Sequence, residues 1–178
     1  MENQRIVNST SNKYVKSCFW NMYQSIVYCN LYYGLYRGFY MRILQIIRGV
    51  AMVAILAATG VLVAFSNIEI VRYLCPIIIV IAQIVQSVID KLPIKQRVSD
   101  CREACLQYNS LQFDAERFWL QITAHKRSNE EIIKAVSFFG KQMVKIEESF
   151  FLEDSLPDSK HIKEKASEEC SRYLNARF

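Results

Sequence analysis

Two stretches of this chain carry no charge at all. The twenty residues between Arg48 and Glu69 read GVAMVAILAATGVLVAFSNI, and the seventeen between Arg72 and Asp90 read YLCPIIIVIAQIVQSVI. As helices they would span roughly 30 and 26 Å at about 1.5 Å per residue, against about 30 Å for the hydrocarbon core of a bilayer. A core helix of a soluble bundle keeps a polar face for water. The first stretch has none, its only polar side chain before Ser66 being Thr59. The pattern therefore predicts a transmembrane helical hairpin over residues 46–90, with spans at about 46–66 and 73–90. A connector as short as SNIEIVR forces the two spans to run antiparallel and side by side.

Polar residues interrupt the second span at regular intervals. Gln83, Gln86, Ser87 and Asp90 lie three and four residues apart, which places them on one side of a helix. Asp90, next to Lys91, reads by default as a charge at the membrane edge. Gln83 falls about halfway along the span, where an unpaired amide in hydrocarbon is costly. Its partner would be a glutamine on another helix, water in a pore, or a backbone carbonyl. Oligomer contact and pore lining are equally good readings, and they are compatible. In the first span Ala54 and Ala58, and Gly60 and Ala64, are each four apart, a small-residue spacing suited to tight packing in lipid. The packing partner is either the second span or a neighbouring subunit.

Outside the hairpin the periodicity is helical throughout, and no strand pattern appears. Residues 1–12 are polar and read as a flexible tail. Residues 13–45 form an aromatic and basic helix leading into the first span, with a bend expected near Gly34 or Gly38. Its many Tyr, Phe and Trp residues suit a membrane–water interface. Residues 91–178 form a cytosolic helical domain, entered through a kink at KLP (91–93). One helix from Ile94 to about Lys126 would bury Ala104, Tyr108, Leu111, Ala115, Phe118 and Ile122. A second starts at a Ser128 or Asn129 cap, with Glu130 and Glu131 in its first turn. It would face Ile132, Ile133, Val136, Phe139, Met143, Val144 and Ile146 inward. After a turn at EDSLPDS, a charged helix runs from about Ser159 to Arg172. The expected class is an all-α integral membrane protein.

Charge placement orients the hairpin. Arg5, Lys13, Lys16, Arg37, Arg42 and Arg48 precede the first span; Lys91, Lys95, Arg97 and Arg102 follow the second; the connector offers only Arg72. The excess of Lys and Arg on the flanking segments places both termini in the cytoplasm. Arg37, Arg42, Arg48, Arg72 and Lys91 are the expected interface anchors. The first residues lack the apolar run of a cleaved signal. Six cysteines on a largely cytosolic chain argue against a disulfide framework. The two histidines, His125 and His161, are isolated.

No phosphate loop, zinc-protease motif or nucleophile elbow is present. The expectation is a protein that is not an enzyme, with no cofactor, no metal and no direct binding of nucleic acid. YCNLYYGLYRGFYMRIL leading into the hairpin, followed by DCREACLQYNSLQFDAERFWLQI, resembles the bacterial SLATT family, the two-transmembrane effectors associated with SMODS and SLOG proteins. The resemblance extends from about Tyr14 to Ile122 and is one of architecture. It implies a homo-oligomeric, pore-forming effector of antiviral defence in the bacterial inner membrane, in contact with lipid. The trigger would come from a separately encoded sensor or a partner that produces a nucleotide signal. The alternative is a non-pore adaptor, anchored by the hairpin and binding a cytosolic partner through its later helices.

Overall fold

A computed structural model describes residues 2–64, 68–91, 94–151 and 156–178. Every regular element among them is an α-helix: α1 (Glu2–Ala64), α2 (Glu69–Lys91), α3 (Ile94–Thr123), α4 (Asn129–Phe151) and α5 (Lys160–Arg177). Parts of three expected connections, at 65–67, 92–93 and 152–155, lie outside the described residues. α1 begins at Glu2, in the stretch read from sequence as a tail. No Gly or Pro occurs before Gly34, so nothing in the backbone chemistry stops the helix from extending that far. It also runs unbroken through Gly34 and Gly38.

The chain divides into two compact units, Met1–Tyr36 with Asp100–Phe178, and Arg37–Ser99. The first is a four-helix unit built around the beginning of α1. Val15, Phe19, Tyr23, Ile26, Tyr33 and Tyr36 are buried along it, spaced at three, four and seven residues, which is one helix face. Phe19 is fully buried, 5.2 Å from the ring of Phe118 and 5.8 Å edge-on to that of Phe139. Tyr33 stacks on Phe151 at 4.8 Å and on Tyr108 at 5.4 Å. These rings form the interior of a bundle. That corrects the expectation of an interface belt: they alternate with polar residues at helical period, as a core stripe does, whereas a belt needs only depth in the membrane.

α3 buries Ala104, Tyr108, Leu111, Ala115 and Ile122, with Phe118 half-buried, as its spacing predicts. α4 buries Ile132, Phe139 and Ile146, a seven-residue repeat. Ile133 and Val144, expected inward, are exposed, because each is rotated about 100° or more from that row. α5 buries Ile162, Ala166, Cys170 and Leu174, every fourth residue.

Local chemistry sets the helix ends. The amides of Lys126 and His125 donate to the carbonyls of Gln121 and Ile122, and His125 has φ 55°. This is a Schellman stop with histidine in the left-handed position. α4 opens with a reciprocal capping box. The Ser128 amide donates to Glu131 Oε2 at 2.8 Å, and the Glu131 amide donates to Ser128 Oγ at 3.3 Å. These contacts, with Arg127 beside it, hold the Glu131 carboxyl below the usual range. Burial, with the Glu147 charge nearby, pushes the Cys29 thiol up to about 12, the behaviour of a structural rather than a reactive cysteine.

Candidate functional site

The second unit, Arg37–Ser99, contains the later part of α1 and all of α2. Only four residues separate Ala64 from Glu69, so the helices reverse direction and lie together. Leu44, Ala51 and Ala58 are buried on α1, and Cys75 and Ala82 on α2. Each set repeats every seven residues, the period at which two helices keep one seam in contact. Four of the five are alanine or cysteine. In lipid, small side chains let helix backbones approach closely, and contact between the helices then comes from dispersion.

Beside this seam lies an apolar groove of about 360 Å³. Ile46, Val50 and Ala54 line it from α1, and Ile78, Ile81 and Val85 from α2. Many large aliphatic side chains beyond the seam point outward. Val53, Leu56, Val63, Ile77 and Ile84 are each more than half exposed, Val63 by 77%. Soluble monomers rarely expose a continuous apolar surface of this kind. Among the described residues, one helical segment, Asn12–Val61, is long and apolar enough to cross a membrane, and only 17% of its most apolar stretch is buried. A core helix of a soluble protein would be mostly buried. This is weak evidence, in a single helix, for membrane association.

The polar residues within the hairpin fall into two kinds. Thr59 Oγ1 donates to the Ile55 carbonyl at 2.7 Å, and Ser87 Oγ donates to the Gln83 carbonyl at 3.0 Å. Both hydroxyls are thus satisfied by the preceding turn of their own helix. The Gln83 side chain is exposed, and among the described residues its amide has no hydrogen-bond partner. At about 100° per residue, Gln83 lies roughly 100° round α2 from Ala82, and Ser87 about 140°. Ile78, Ile81 and Val85 lie on the other side of Ala82. The polar line therefore runs along the flank of α2 opposite the groove, away from the α1 seam.

Of the other residues singled out from sequence, Arg37, Arg42 and Arg48 are exposed on α1. Arg72, Gln86, Asp90 and Lys91 are in α2, with side chains outside the described part of the structure. Ala58 is on the seam, and Ala54 lines the groove. Gly60 and Ala64 are exposed, and nothing lies within 4 Å of the position a Gly60 Cβ would take. Of the two packing partners considered for these small residues, α2 takes Ala58, while Gly60 and Ala64 are left facing outward. A Cβ placed on Gly34 would lie 3.9 Å from Cys105 Sγ, while one on Gly38 would meet nothing within 4 Å. Ala51 is among the small residues the sequence offers near Ala54, but the seam residues Cys75 and Ala82 do not stand out in it. A search for seven-residue spacing of small side chains, rather than four-residue spacing, finds them.

Among the described residues, no group of three or more His, Cys, Asp or Glu side chains gathers as a metal-binding cluster. Comparison with known proteins yields no significant match, whether to a family model, a curated protein or a solved structure.

Proposed function

We propose that this protein is a membrane effector whose α1–α2 hairpin spans the bilayer twice, with both termini in the cytoplasm. Several copies assemble through the Gln83 flank of α2. When triggered, they rearrange to open a path for ions across a bacterial inner membrane. The observation that carries the reading is the hairpin's polarity. It buries small residues in its seam, turns large aliphatic residues outward, and presents one unsatisfied amide, Gln83, on a flank away from the seam. A lone helix in lipid leaves that amide uncompensated. A neighbouring copy or a water-filled axis satisfies it, with each interhelical hydrogen bond worth about 1 kcal/mol. Gln86, Ser87 and Asp90 continue the same line in sequence.

The resemblance to SLATT effectors supports placing the protein in antiviral defence, with a separately encoded sensor or nucleotide-signal producer as the trigger. The first unit would hold the hairpins closed until that signal arrives. The test is ion or dye flux from proteoliposomes and depolarisation in cells, comparing the wild type with Gln83→Leu and Gln86→Leu. Loss of flux with intact insertion supports the lining assignment. A demonstrated permeability that both variants leave untouched removes it. A protein that inserts but permeabilises under no trigger is an anchored adaptor instead.

A further inference from the structure

α5 meets its unit along one helix face. It touches the core through one narrow row, Ile162, Ala166, Cys170 and Leu174. Beside that row, between α1 and α5, runs a groove of about 560 Å³ lined by Asn21, Gln24, Ser25, Ser167 and Ser171 among others. Beside Ser167–Leu174 the interface is therefore incompletely filled, with serines and amides sharing the groove with Tyr28, Cys29 and Leu174.

Ser159 caps the start of α5. Ion pairs Lys160–Glu164, Lys165–Glu169 and Arg172–Glu168 run along it at i,i+4 spacing, which favours helix locally.

Just before α5 the Tyr36 hydroxyl donates to the Pro157 carbonyl, and the charged contacts to α3 lie at its other end. Arg177 places Nε at 2.7 Å and Nη2 at 2.6 Å from Glu116 Oε1 on α3. The Tyr173 hydroxyl donates to the other carboxylate oxygen at 3.4 Å. Glu116 is 6% exposed, the one buried charged side chain among the described residues. The ring of Phe178 stands edge-on to Trp20 at 5.3 Å and to Tyr23 at 5.9 Å. The Tyr23 hydroxyl is buried beside Tyr173, and water would reach it if α5 lifted away.

We propose that α5 is a releasable strap, fastened over α1 and α3 by the Arg177–Glu116 pair and the Phe178 ring, and able to detach while the α1–α3–α4 core stays folded. Detachment exposes an acidic and aromatic patch made of Glu116, Trp20 and Tyr23. This inference concerns the first unit alone and does not depend on permeation.

Native cysteines report on it directly. Cys170 is on the buried face of α5, and Cys101 is fully buried in α3. Burial pushes the Cys170 thiol up, so it reacts slowly while the strap is docked. Peptide-resolved labelling with N-ethylmaleimide would follow both thiols in the full-length protein, in the wild type, Glu116→Gln and Phe178→Ala. The expected result is Cys170 labelling about tenfold faster in each variant, the effect of roughly 1.4 kcal/mol, with Cys101 unchanged. Unchanged Cys170 labelling in both variants overturns the proposal. So does a parallel rise at Cys170 and Cys101, which would mean that α5 leaves only when the whole bundle opens.

Discussion

The two units of this molecule spend the same currency, apolar side chains, in opposite directions. In the first, Phe19, Tyr23, Tyr33 and Tyr108 point inward and are nearly or wholly inaccessible, while Arg, Lys and Glu cover α5 with ion pairs. In the second, alanine and cysteine fill the seam, and Val53, Leu56, Val63 and Ile77 point outward. Large residues inside and charges outside is the arrangement water imposes. Small residues inside and large aliphatic residues outside is the arrangement that suits lipid, where burial from water no longer drives helices together. The difference teaches that total hydrophobicity says little about either unit; the two differ in the direction in which their largest apolar groups face.

That contrast predicts unequal responses to the same kind of substitution. Phe19→Ala should destabilise the first unit by about 3–5 kcal/mol, the usual cost of emptying an aromatic core site, as read by thermal unfolding. Leu56→Ala, on the outer face of the second unit, should change stability by less than about 0.5 kcal/mol. Comparable losses from the two would break the comparison. Within the second unit, Ala82→Leu should overfill the seam and cost about 1–3 kcal/mol, measured as lost resistance of the hairpin to unfolding in micelles. Gly60→Ala should be neutral or slightly stabilising in the same assay, since its added methyl meets nothing and alanine is the better helix former.

A further effect, dependent on pH, lies at the α4 cap. Ser128→Ala should cost the first unit about 1 kcal/mol. The folded-state pKa of Glu131 is lowered, so its contribution is fully present above the normal glutamate range and fades as pH falls through the lowered value. Wild type and Ser128→Ala should therefore draw closer on acidification only by the part that the Ser128 hydroxyl gives to the Glu131 carboxylate, while the cap on the Glu131 amide persists. A difference independent of pH would mean the serine acts without the glutamate.

Much of the helical framework was readable from the sequence. α3 and α4 fall close to where periodicity and the Ser128–Glu131 box place them, because caps and amphipathic stripes are local signals. The seat of the aromatic residues was not. Tyr33 and Tyr108 are seventy-five residues apart in the chain, and nothing local tells a tyrosine that stacks on a distant ring from one that sits at a headgroup. Their regular spacing was the available signal, and it was outweighed by composition. The fastening of α5 was equally invisible, since Glu116 reads as one more solvated acid until Arg177 is seen beside it. In the hairpin, Gln83 stood out at once because a polar residue among aliphatic ones needs no partner to be conspicuous. The alanine seam required knowing which face meets α2.

The central claim is that the outward apolar face of the second unit lies in lipid while the first unit is in water. Single cysteines at Leu56, Ile84 and Phe113, on a background with the native cysteines replaced, would test it in proteoliposomes with a membrane-impermeant maleimide applied to both sides. All three positions are exposed in the folded chain, so protein packing alone does not shield them. The account predicts rapid labelling at 113 and protection at 56 and 84 until detergent is added. Labelling at 56 and 84 as fast as at 113 in intact vesicles would contradict it.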